Sequence, residues 1–103
     1  MRIIENKAEY EQLLKDNKSV FVDFYADWCG PCKMVGPIVE ELSADYPDVT
    51  FVKVNVDNTP DIAEMYGIMS IPTMIAFKNG EIADSMLGFN PKEAIAAVVE
   101  KAR

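Results

Sequence analysis

The chain has 103 residues, half of them hydrophobic, with a formal net charge of -7 and no histidine. Its length matches the roughly 100–150 residues of one domain, so a single domain over residues 1–103 with an ordinary apolar core is expected. The acidity argues against nucleic acid and anionic membrane surfaces, whose phosphates attract Lys and Arg clusters, and is read simply as favouring solubility.

Met1 to Asn6 lacks the apolar run of a signal peptide, and no later segment is long enough to span a bilayer. The default expectation is therefore a cytoplasmic monomer with no membrane partner. Arg2 to Ile4 is read as a short first strand. In Asn6-Lys7-Ala8-Glu9, Asn6 caps a helix and Glu9 follows three residues later; Tyr10, Leu13 and Leu14 then form its apolar stripe. Val20 to Tyr25 is nearly all hydrophobic, as in a central strand covered on both faces.

Met34, Val35, Ile38, Val39 and Leu42 recur at helical spacing, which predicts a helix from Cys29 or Gly30 to Asp45, kinked by Pro37. Phe51 to Val56 alternates with period two and reads as a strand. Thr59-Pro60 predicts a capped short helix with proline in its first turn, closed by Gly67. Thr73 to Lys78 and Glu81 to Leu87 read as strands joined by a two-residue turn at Asn79-Gly80. Asn90-Pro91 opens a last helix with Ile95, Val98, Val99 and Ala102 toward the core. The order βαβαβαββα predicts an α/β fold, a mixed sheet with helices on both faces.

Both cysteines of the chain, Cys29 and Cys32, lie in the stretch ADWCGPCK, Ala26 to Lys33. A structural zinc site needs four ligands, and the chain has no histidine or third cysteine to complete one, so no metal is expected. As a staple, a disulfide closing so small a loop contributes roughly 2 kcal/mol, against about 3 for a fifteen-residue loop, and pins no distant elements. Redox chemistry uses the spacing better. One thiolate attacks a substrate disulfide, and a second thiol within reach then resolves the mixed disulfide. A helix start at Cys29 favours a thiolate there through unpaired N–H groups and the helix dipole. Cys29 is thus the expected attacking residue, alone accessible to solvent, and Cys32 the resolving one. Pro31 stiffens the turn between them.

Trp28-Cys29-Gly30-Pro31-Cys32-Lys33, with Val22-Asp23-Phe24 before it and Tyr66-Gly67-Ile68, Ile71-Pro72-Thr73, Asn79-Gly80 and Gly88 after it, resembles the thioredoxin family. The resemblance covers essentially the whole chain. It implies a thioredoxin-like mixed sheet and a protein-disulfide reductase that serves disulfide-containing client proteins. It also implies re-reduction by a thioredoxin reductase drawing on NADPH. The chain itself has no phosphate loop or dinucleotide fingerprint, so NADPH enters only through that partner. Three positions depart from the family's commonest pattern. Tyr25 stands where many members have tryptophan. Met69-Ser70 and Phe89 replace other residues beside the substrate groove and bear on partner choice.

Asp23 lies inside an apolar strand, where an unpaired carboxylate is costly. It is either exposed or ion-paired, for instance with Lys53, or buried with a raised pKa and able to take the proton of Cys32. The resemblance implies the second role, with Lys53 as a supporting charge. It also implies a cis Pro72 facing the cysteines, which presents the backbone of Ile71 to substrate. Trp28, Gly30, Pro31, Ile71, Gly88 and Phe89 would complete an apolar platform for an extended peptide. The expected activity is disulfide reduction. Its alternatives are a disulfide oxidase or isomerase, and a binding subunit that needs no thiols.

Overall fold

The apolar run ending at Phe24 lies at the centre of a five-stranded sheet, with a strand bonded on either side. The computed structural model describes all residues, Met1–Arg103. Its elements are β1 (Arg2–Ile3), α1 (Lys7–Asp16), β2 (Ser19–Tyr25), α2 (Gly30–Asp45), β3 (Thr50–Asn55), α3 (Pro60–Met65), β4 (Thr73–Lys78), β5 (Glu81–Leu87) and α4 (Lys92–Lys101). The sheet order is β1-β3-β2-β4-β5. β2 runs parallel to β3 and antiparallel to β4, so the sheet is mixed as predicted. The β4–β5 hairpin turns through Asn79 and Gly80 at φ 54° and 82°, the left-handed pair that a tight two-residue turn requires.

Strand alternation divides the core in two. Val20, Val22 and Phe24 of β2 join Val52 and Val54 of β3 under Tyr10, Leu13 and Ile62 of α1 and α3. On the other face, Phe21 and Phe51 meet Val35, Val39 and Leu42 of α2, with Ile95, Val98 and Val99 of α4. With a period of two, Asp23 shares the face of Phe21, toward α2. The strand pattern alone thus aims a carboxylate at the helix that carries the cysteines.

Two of the helix starts differ from the sequence reading. Asn6 caps α1 as expected, accepting the Glu9 N–H at 2.8 Å, but the Glu9 carboxylate reaches back to the N–H of Glu5, at 2.7 Å. Thr59 does not cap α3: its hydroxyl donates to the Asn55 carbonyl at 2.9 Å, which also accepts the backbone N–H groups of Asn58 and Thr59 in the turn after β3. Asn90 does not cap α4 either. The helix begins at Lys92 with Pro91 in the cap position, so the Asn90 amide falls one residue early and donates to the carbonyl of Leu87 at 3.0 Å. α2 runs on through Pro37 without ending. No helix is long and apolar enough to cross a membrane.

Candidate active site

Cys29 occupies the N-cap of α2, and Cys32 lies in its first turn. The two are joined by a disulfide. The Cys32 backbone N–H points at Cys29 Sγ, 3.2 Å away. That N–H is one of the donors a helix start leaves without an internal partner, so it is free to solvate negative charge on the sulfur. Gly30 and Pro31 form the exposed first residues of the helix, and proline loses nothing there because its missing N–H has no role.

In the oxidised protein neither cysteine is exposed, Cys29 at 4% and Cys32 at 6%, so the accessibility expected of Cys29 alone belongs to the reduced pair and is not a feature of the disulfide. Ala26 packs with both, and Tyr25, Val56 and Ile71 close over them. What distinguishes the two sulfurs is position on the helix, since only Cys29 stands at the end where the amide points.

Asp23 is buried, 1% exposed, and its Oδ1 has no hydrogen-bond partner. Burial pushes its carboxyl up to about 6, while the positive charge of Lys53 pulls the other way. The exposed or ion-paired alternative is therefore not what forms. Lys53 is the register partner of Asp23 across β2 and β3, but its ammonium rests over the Tyr25 ring, 4.4 Å from the centroid. Asp23, Tyr25, Lys53 and Cys32 all line one recess of about 400 Å³, to which α2 adds Gly36, Pro37 and Glu40.

A second loop faces the disulfide from across the site. The Ile71–Pro72 peptide is cis, as the resemblance implied. Cys29 Sγ lies 3.7 Å from the Ile71 carbonyl oxygen. In the disulfide that sulfur has no proton to donate, so this is a contact that becomes a hydrogen bond only when a thiol forms. Pro72 is buried, and its carbonyl accepts the Gly88 N–H at 2.8 Å. Gly88 has φ 75°, a backbone that a side chain would strain. Phe89 follows it, half-exposed.

Trp28 is not a core residue: it is 70% exposed, and its indole Nε1–H donates to Asp57 Oδ2 at 2.8 Å. Asp57 escaped the sequence reading. The signal lay in the strand register: Tyr25 pairs with Asn55, so the residues just past β2 and β3 emerge side by side. The disulfide thus joins two neighbourhoods: Cys32 lines the recess with Asp23, Tyr25 and Lys53, while Cys29 faces Ile71 beside the cis Pro72, whose carbonyl holds Gly88. No group of three or more His, Cys, Asp or Glu side chains is arranged to hold a metal ion.

Known proteins share this arrangement of elements. The Thioredoxin family matches residues 2–101 of the chain. A thioredoxin of Mycoplasmoides gallisepticum is 53% identical over 100 residues, spanning 97% of this chain and all of its own. A thioredoxin of Chlorobaculum thiosulfatiphilum is 47% identical over 91 residues, covering 87% of this chain and 84% of that one. Among solved structures, the Plasmodium falciparum thioredoxin superposes with a TM-score of 0.93 at 40% identity, covering 98% of each chain. The Fasciola hepatica thioredoxin gives 0.94 at 34% identity over the whole of both chains.

Proposed function

The chain belongs to the thioredoxin family and is a protein-disulfide oxidoreductase, and we propose that it reduces client disulfides by attack of Cys29 and resolution by Cys32. The observation that carries this order is the amide of Cys32 aimed at the sulfur of Cys29. In the reduced protein a Cys29 thiolate, held by that amide and the helix start, attacks one sulfur of a client disulfide. A Cys29–client disulfide forms, and the other client sulfur leaves as a thiolate that takes up a proton. Cys32 then gives its proton to the Asp23 carboxylate and attacks Cys29 Sγ. The Cys29–Cys32 bond forms, and the second client sulfur leaves. Two electrons have passed to the client.

Asp23 suits the proton step because its carboxyl, raised to about 6, holds a proton more strongly than an ordinary aspartate. The recess it shares with Cys32 is polar and roomy enough for water to carry a proton between them and out to solvent. Lys53 supports it as the charge that limits how far that carboxyl rises.

Clients would bind as an extended segment across the site, its backbone on that of Ile71 beside the cis Pro72. Trp28, held by Asp57, and Phe89 would give it apolar contact, while Gly30, Pro31 and Gly88 let its backbone come close. The oxidised protein would be recharged by a thioredoxin reductase drawing on NADPH. We read residues 1–103 as one domain working as a cytoplasmic monomer.

The test is insulin reduction with a thioredoxin reductase and NADPH, followed by loss of NADPH absorbance and by insulin precipitation. Turnover that requires this chain supports the reading. NADPH consumption no faster than without the chain, with the reductase shown to be active on another thioredoxin, overturns it.

A further inference from the structure

The Lys53 ammonium has two acceptors within its reach, and it occupies the less obvious one. Asp23 and Lys53 are register partners on the parallel strands β2 and β3, which starts a carboxylate and an ammonium from neighbouring positions in the sheet. Yet the ammonium lies 4.4 Å above the Tyr25 ring centroid, and Asp23 Oδ1 is left without a partner. A ring face attracts a cation through its quadrupole, and both Tyr25 and Lys53 are partly buried here.

We propose that Tyr25 is a positioning residue for proton transfer: its ring holds the Lys53 ammonium off the Asp23 carboxylate, which stays free to accept the proton of Cys32. The inference rests on the proton-accepting role given to Asp23 above. Without the ring, Asp23 is the carboxylate that the strand register places beside the ammonium, Asp27 and Glu40 lining the same recess from the turn after β2 and from α2. The ammonium would close on Asp23, and an opposite charge at ion-pair distance favours the ionised carboxylate. Asp23 would then hold a proton less strongly and serve as a poorer base.

The other groups facing Asp23 do not offer the same control. α2 presents Cys32, locked in the disulfide, together with Lys33 and Glu40. The turn after β2 presents Asp27, and β4 brings only Met74 to the register position. Lys53 is the charge that acts directly on the carboxyl.

The test is a pH titration of the Asp23 side-chain carboxyl carbon by NMR in the oxidised protein, so that no thiol titrates. Tyr25→Phe keeps the ring face and should leave the midpoint in place. Tyr25→Leu should lower it by about one pH unit, the low end of what an adjacent opposite charge does. Lys53→Met should raise it, and adding Tyr25→Leu to Lys53→Met should then change nothing. That last comparison separates the proposal from simple exposure of Asp23, which would lower the midpoint in both backgrounds. If Tyr25→Leu does not fold, Tyr25→Met removes the ring with a more adaptable side chain. An unchanged midpoint in the ring-deleted variant, or an equal drop with and without Lys53, overturns the proposal. The pH profile of mixed-disulfide resolution should shift in parallel with the titration. If the titration shifts and that profile does not, the failure lies with Asp23 as proton acceptor, and with it falls any kinetic role for Tyr25.

Discussion

Replacing Asp23 by Asn removes the one titration that burial has displaced furthest into the physiological range. The carboxyl moves from an ordinary value of 3.8 to about 6, mainly because the folded chain strips it of water. At about 1.36 kcal/mol per pH unit, that displacement corresponds to about 3 kcal/mol. The sign follows from which state holds the proton. Between these two values the folded protein keeps the proton while the unfolded chain releases it, so stability falls as pH rises. Below pH 3.8 both states are protonated and the penalty is absent; above about 6 it is complete and constant. Asn cannot titrate. The stability of Asp23→Asn minus that of the wild type should therefore climb by about 3 kcal/mol between roughly pH 3.5 and pH 7.5. The other carboxylates titrate alike in both proteins and cancel. The assay is urea denaturation of the two oxidised proteins across that range, read by far-ultraviolet circular dichroism. The new amide leaves donors unpaired and adds a constant offset of about 1–3 kcal/mol, so the climb, and not the offset, is the result. A difference that stays flat across the range would refute the argument, because Asp23 would then titrate like an exposed aspartate.

Asn6→Ala should cost about 1 kcal/mol, measured by denaturant midpoint, because the Glu9 N–H loses the side-chain acceptor that caps α1. Gly88→Ala should cost about 1–2 kcal/mol through backbone conformation alone, since φ is 75° and a Cβ there would meet no atom within 4 Å. An equal loss without the left-handed backbone, at Gly36→Ala, would contradict that reasoning. Pro31→His should make the disulfide more oxidising, because a donor and potential cation beside the sulfur stabilise the thiolate. Equilibration of wild type and variant in glutathione buffers, with acid quenching, reads the direction. A wild-type disulfide readily reduced at a mildly oxidising ratio would favour the oxidase or isomerase alternative.

Much of the fold is written in local pattern. The period-two apolar strands, the Asn79-Gly80 turn and the apolar spacing from Met34 to Leu42 each admit one reading, and each formed. The failures occur where a polar side chain had a choice of partners. Thr59 and Asn90 read as caps, but each donates instead to the carbonyl of the last residue of the preceding strand, the local side-chain-to-backbone bond that competes with capping. The site behaves similarly. The cysteine pair, and the carboxylate stranded in an apolar strand, were visible as chemistry out of place. Whether Asp23 met Lys53 depended on where a flexible side chain would settle, and the competing partner, Tyr25, is two residues along the same strand. Asp57 carries no anomaly of its own. Its contact with Trp28 needs the register of β2 on β3, a fact of tertiary structure.

The central claim is the division of labour between the two cysteines, and trapping tests it most directly. Reduced Cys29→Ser and Cys32→Ser proteins are each mixed with a disulfide-bonded client and examined by non-reducing mass spectrometry. Cys32→Ser keeps the sulfur at the helix start and should accumulate a mixed disulfide through Cys29, since nothing remains to resolve it. Cys29→Ser keeps only the sulfur one turn inside, with no amide aimed at it, and should trap little or none. Equal trapping by both variants, or trapping through Cys32 alone, would contradict the account.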